Sequence, residues 1–227
     1  MSIIAPMTNS DRARVSAAVS EAEGETAGEI VTIITGSSDS YNDVALVWAA
    51  AVALLALCVI ASFPYFYLGQ WSRLFGDWVE QWRPGEVLGF AATVAALKFV
   101  GTWLILLWRP LRIWLTPRFI RNNRVHARAV TCFKVGAERR TSGRTGILIY
   151  LSLAERRAEI VADEAIASKV PAAVWGDALT AMLIEIKQGR MADGMIAAIG
   201  RVGIILAEHF PRASDDKNEL PDRLIEV

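Results

Sequence analysis

The residues best placed to do chemistry are the carboxylates that follow the β-type runs of this chain. Asp39 and Asp43 come after Glu29–Thr35 (EIVTIIT), and Asp163 and Glu164 come after Ala158–Ala162 (AEIVA). If these strand ends converge, Asp39, Asp43 and Asp163 meet at one edge of a sheet. They would then form an oxygen-rich site for a hard cation, calcium first. The competing reading makes them solvated turn residues, with Asp163 as a helix N-cap. Arg140, Arg144 and Arg156 have the chemistry to hold an oxyanion such as a phosphate. No nucleophile accompanies them, because the sequence has no phosphate-binding glycine loop, no cysteine-phosphatase motif and no paired histidines. Catalytic residues are therefore left unassigned, with Glu155 and Asp163 as unmarked candidates for acid–base work. His126 and His209 fall on different helices without ligand spacing and read as surface or interface residues. Cys58 and Cys132 read as two small buried hydrophobes rather than a disulfide or a metal pair.

Lys98 is the other singular residue. It sits inside one of two long apolar segments, Val44–Phe63 extending toward Leu68, and Val87–Trp108. The first has no charged residue and the second only Lys98. Each reaches the ~20 residues a helix needs to cross a bilayer. A charge there costs ~2.5–3.5 kcal/mol on insertion scales, and the first segment offers no carboxylate to pair with it. Lys98 either snorkels or meets an acidic group of another membrane subunit or a lipid.

These segments account for a composition that is 53% hydrophobic, with a mean hydropathy of +0.33, in a 227-residue chain. Removing them leaves roughly 160 residues, enough for one domain with its own core. Net charge is zero, which with the lack of any known module argues against a nucleic-acid partner. The charges are unevenly spread. Arg109, Arg112, Arg118, Arg121, Arg124 and Arg128 follow the second segment, whereas the loop Gly69–Glu86 carries only Arg73 and Arg83 beside Asp77, Glu80 and Glu86. The positive-inside rule then places the hairpin tip away from the cytoplasm and both flanks within it. Arg109, Arg112, Arg118 and Arg121 would face anionic headgroups. Aromatic residues at the tip (Tyr65, Phe66, Tyr67, Trp71, Phe75, Trp78, Trp82) suit the outer membrane–water interface or the grip of a partner. Met1–Asn9 lacks the basic and apolar regions of a secretory signal.

The elements that must position these residues alternate in type. Thr8–Glu23 reads as a helix capped by Ser10 or Asp11, with Val15, Ala18, Val19 and Ala22 on one face. Glu29–Thr35 reads as a strand buried on both faces. Pro110 and Pro117 break the chain after the second span, and Arg118–Val135 is a basic amphipathic helix. Gly143–Ser152 and Ala158–Ala162 form an antiparallel hairpin joined by Leu153–Arg157. Ala173–Gln188 and Ala192–His209 are helices, the second a core helix rather than a third span. Ser214–Val227 reads as an exposed tail. Together these predict an α/β domain, a mixed β-sheet flanked by helices, interrupted by a two-helix transmembrane hairpin. The domain is discontinuous, 1–43 plus 109–227, with the hairpin over 44–108 (spans 44–66 and 87–108).

The stretch Arg140–Asp163 (RTSGRTGILIYLSLAERRAEIVAD) resembles the TPM domain family: a Gly-aliphatic strand, a charged turn, and a second strand ending in Asp. Gly28–Val31 looks like the family's first strand, and Ser38–Asp43 like the acidic turn after it. Cys132–Gly136 and Gly189–Pro211 are similar to later parts. The resemblance implies a TPM-like fold. It also implies either weak acid-phosphatase activity, in some members with calcium, or an accessory role beside membrane complexes. The matching turns add to the calcium reading of Asp39, Asp43 and Asp163. The inserted hairpin departs from the commonest arrangement, an export signal before the domain and one span after it. The expectation is a multi-pass protein of the bacterial inner membrane with both termini cytoplasmic. Its expected role is an accessory module whose partners are the lipid membrane and another membrane protein. The rival is a weak metal-dependent phosphatase.

Overall fold

The computed structural model describes residues 7–75, 83–136, 145–212 and 223–227. The chain divides into two compact units, Met1–Asp39 with Arg118–Val227, and Ser40–Pro117.

The first unit is a four-stranded mixed sheet with helices on both faces. Its order is β3-β2-β1-β4, with β1 Glu29–Thr35, β2 Gly146–Ser152, β3 Arg157–Ala162 and β4 Ile225–Glu226. β1 and β2 run parallel from Glu29↔Gly146 to Thr35↔Ser152, and β2 and β3 run antiparallel from Ile147↔Ala162 to Ser152↔Arg157. β1 and β2 are buried along their whole length because both are central strands covered on two sides. A parallel pair cannot be closed by a tight turn. The chain between β1 and β2 accommodates the second unit and a helix that lies on the sheet, here α6, Arg118–Gly136.

Side-chain alternation sends the two central strands' residues to opposite layers. Ile30, Ile34, Ile147, Ile149 and Leu151 pack with α1 (Asn9–Glu23), α8 (Trp175–Lys187) and α9 (Met191–His209), through Val15, Val19, Trp175, Met182, Met195, Ile199, Val202 and Leu206. Val31, Ile33, Leu148 and Tyr150 pack under α6 against Val125, Ala129 and Phe133. α9 is therefore a core helix, as Arg201 indicates. Its approach to α1 depends on Gly203, where a Cβ would come within 2.9 Å of the Ala22 Cβ. Thr8 caps α1, not Ser10; its hydroxyl accepts from the Asp11 amide and the Asp11 carboxylate accepts from the Thr8 amide.

The second unit holds α2 Asn42–Ser62, α3 Pro64–Phe75, α4 Pro84–Leu106 and α5 Arg109–Leu115. α2 and α4 pack on each other and are long and apolar enough to cross a membrane. The first apolar helix ends at Ser62, short of 66, because Phe63 leaves helical geometry and Pro64 opens a new helix. α3 takes up the end of the span read as 44–66 and the start of the loop read as Gly69–Glu86. Its Tyr65 and Phe66 are exposed, and Trp71 stacks edge-on with Phe90 of α4 at 5.1 Å. Trp78 and Trp82 lie outside the described residues. α5 is set off by Pro110 near its start and by Pro117 beyond its end.

Candidate functional site

Among the described residues of the first unit, a polar cluster forms where β1 and β2 end side by side. After Thr35 the chain turns through Gly36, Ser37, Ser38 and Asp39. After Ser152 it turns through Leu153–Arg156 into β3. The two turns clasp each other, since the Leu153 amide donates to the Thr35 carbonyl and the Ala154 amide to the Gly36 carbonyl, both at 3.1 Å. Arg156 adopts a left-handed conformation (φ 52°) to close the hairpin, a position any non-glycine residue holds at some cost. That turn directs Glu155 back under the first loop, where it is only 4% exposed.

Glu155 gathers donors from both turns. Its Oε1 accepts from the Ser38 amide and lies 3.1 Å from the Ser37 hydroxyl, whose single proton can also reach the Asp39 carbonyl at 2.8 Å. Its Oε2 accepts from the Ser152 hydroxyl. Ser152 in turn accepts from Ser38 Oγ at 2.9 Å, and Ser38 Oγ lies 3.0 Å from the Tyr150 hydroxyl. The result is a continuous hydroxyl chain, Tyr150–Ser38–Ser152, that ends on a carboxylate. Burial pushes the Tyr150 phenol above its ordinary range, and the Ser38 contact opposes the shift. Asp39 stands beside this chain and accepts from Arg124 Nη1 of α6 at 2.6 Å.

This arrangement can hold two turns in register. A nucleophile would need an exposed hydroxyl and an open approach. Ser152 and Tyr150 are fully buried, and Glu155 is occupied by donors on both oxygens.

The carboxylates of the calcium reading are not brought together. Asp39 follows β1 at the end of the sheet where β2 finishes. Asp163 follows β3, which runs antiparallel to β2, so it lies at the opposite end, its amide donating to the Gly146 carbonyl at 2.9 Å. A hairpin returns the chain to the edge it came from, and that reversal separates the two groups by the length of a strand. Asp43 belongs to the second unit. Among the described residues, no three of His, Cys, Asp or Glu are grouped as a metal site. Asp163 is the N-cap of the short helix α7, Glu164–Ala167.

Of the basic residues, Arg109 and Arg118 are exposed and Arg121 is half-buried. Arg112 corrects its lipid-facing assignment. It is 6% exposed, and its Nη1 donates to Asn42 Oδ1 at 2.6 Å, because the α5 turn points it inward with Ile113. Lys98 is exposed on α4. His126 Nδ1 is 3.6 Å from Glu159, Cys132 is half-buried, and Cys58 is exposed on α2 instead of buried. Arg140 and Arg144 lie outside the described residues.

Residues 111–204 match the family model of the TPM domain. No curated protein matches the chain. Among solved structures it is similar to the NMR structure of BA42 protein from the psychrophilic bacterium Bizionia argentinensis. The identity is 17% and the TM-score 0.56, with 100% of this chain and 99% of that chain covered. At that identity the likeness concerns the fold, a mixed sheet flanked by helices. The match over residues 111–204 names the family that Arg140–Asp163 resembles.

Proposed function

We propose that this chain is a membrane-anchored TPM-domain protein that acts as an accessory or interaction module of a membrane protein complex. The observation that carries the reading is Lys98. Counting 1.5 Å per residue, it lies about 12 Å inside the C-terminal end of α4, within a helix that would span a core of ~30 Å. It is exposed on that helix, and the apolar stretches of α2 and α4 contain no carboxylate. Around it, none of the most apolar 18 residues of α4 is buried. Leu54, Leu55, Leu97, Leu104 and Ile105 all show more than half their surface. Lipid suits that apolar surface, whereas an ammonium group at this depth calls for an acidic partner.

In this reading the helices cross the bacterial inner membrane and both flanks lie in the cytoplasm, on the strength of the basic residues after Trp108. Arg109 and Arg118 rest on anionic headgroups. The phosphatase alternative is weaker because Glu155 already has its acceptors filled and the neighbouring hydroxyls are buried.

The test is purification in mild detergent of the unmodified chain and of Lys98→Leu, beside a scan of phosphomonoesters with and without calcium. A membrane protein that copurifies with the first and not the second supports the module. Turnover of a phosphomonoester that falls on Glu155→Gln would favour the enzyme.

A further inference from the structure

The segment read as an exposed polar tail is seated on the sheet. Ile225 and Glu226 form β4, parallel to β1 at Ile33 and Ile34. The Val227 amide donates to the Ile34 carbonyl at 3.0 Å, and the Gly36 amide and Thr35 hydroxyl donate to the Val227 carbonyl at 3.3 and 2.9 Å. Leu224 is 9% exposed and joins the core. Arg12 of α1 holds Glu226 with two parallel bonds, Nε to Oε1 at 2.8 Å and Nη2 to Oε2 at 2.9 Å. Main-chain pairing at a sheet edge, an apolar side chain in a pocket and a carboxylate in a guanidinium fork are the parts of strand-addition recognition of a peptide.

The occupant is lightly held. Its ladder spans two residues, against seven for β1 with β2. Arg12 and Glu226 are 41% and 40% exposed, so water screens their attraction.

We propose that the outer edge of β1 is a peptide-docking site which Leu224–Val227 fills in cis. Its trans ligand is an extended segment of a partner protein with an aliphatic residue two positions before a carboxylate, the pattern of Leu224 and Glu226. The apolar residue enters the Leu224 pocket, the carboxylate takes Arg12, and the backbone takes Ile34 and Gly36. The cis segment lowers the affinity of such a ligand in proportion to the time it occupies the edge. This inference concerns the first unit and stands or falls independently of the membrane reading.

The test uses the full chain in detergent micelles and a fluorescent peptide with the sequence of residues 220–227 (LPDRLIEV). Glu226→Arg sets the cis segment against Arg12, so this variant should bind the peptide about tenfold or more tightly than the unmodified chain. In the Glu226→Arg chain a peptide with Arg in place of its Glu should lose that binding, because Arg12 repels it. Equal binding by the unmodified and Glu226→Arg chains, or binding indifferent to the peptide's Glu, would overturn the proposal. Amide exchange in the unmodified chain gives an answer that needs no variant. The Val227 and Gly36 amides should exchange at least about tenfold faster than that of Leu153, which donates to Thr35 within the β1–β2 clasp. Equal protection would mean that the segment is a permanent strand and the site is closed.

Discussion

Replacing Glu155 by alanine should unlock the two turns that end β1 and β2. The carboxylate accepts from the Ser38 amide at 3.1 Å and from the fully buried Ser152 hydroxyl, and stands 3.1 Å from the Ser37 hydroxyl. A hydrogen bond to a charged group contributes about 1.5–3 kcal/mol, and a buried donor left unmet costs about 1–3 kcal/mol. The Ser38 amide is near enough to the surface to find water after the substitution, whereas the Ser152 hydroxyl is not. The net loss should therefore be about 2–4 kcal/mol. For a domain of this size that lowers Tm by roughly 4–16 °C. Glu155→Gln should cost less, about 1–2 kcal/mol, because the hydroxyl chain can reverse. The amide NH2 would donate to Ser152, Ser152 to Ser38, and Ser38 to Tyr150, while the remaining oxygen still accepts from the Ser38 amide. The assay is thermal melting in detergent together with amide exchange at Ser38. There, 2–4 kcal/mol corresponds to about 30- to 700-fold faster exchange. A loss within about 0.5 kcal/mol for the alanine variant, the range of ordinary surface changes, would refute the reasoning.

Three further outcomes are expected. Reporter domains fused after Val227 and at Gly76 should report opposite compartments, with Val227 on the cytoplasmic side; matching compartments would remove the hairpin topology. Replacing residues 46–108 by a short flexible linker should leave a folded first unit with a cooperative thermal transition, since its two chain segments already form one compact body; aggregation at every linker length would contradict this. Tyr150 has its ionisation pushed upward in the folded state, so its contribution to stability is fully present below pH ~10 and is lost as pH rises through its folded value. Stability of the unmodified chain should fall more steeply above pH ~10 than that of Tyr150→Phe, and parallel curves would exclude the effect.

Periodicity and residue type went far in fixing the elements. Glu29–Thr35 is seven residues of largely β-branched character, and it is a strand with those bounds. Met191–His209 carries Arg201, which argues against a third span, and it packs in the core. What the pattern hides is set by tertiary partners. The first span, read as 44–66, runs through Pro64, which instead serves as the first residue of α3. Ile225–Glu226 is too short for any alternation to register, and only the open edge of β1 makes it a strand. Glu155 looks like one charge among several in a turn. Its role depends on a loop more than a hundred residues earlier folding against the same edge. Asp163 fails as a partner of Asp39 for a reason available in the sequence, since a hairpin places successive strand ends at opposite edges. A lone Arg112 in a basic run gives no sign of facing inward, which follows from the α5 turn between Pro110 and Pro117.

The claim that this chain is a module for a membrane complex turns on the environment of Lys98, and a photoreactive amino acid at Leu97 reads it directly. Leu97 is 69% exposed next to the charge. Irradiation of native membranes should give one discrete protein adduct at that position, and the adduct should disappear when Lys98→Leu is introduced. Lipid adducts alone, or a protein adduct indifferent to Lys98, would contradict the account.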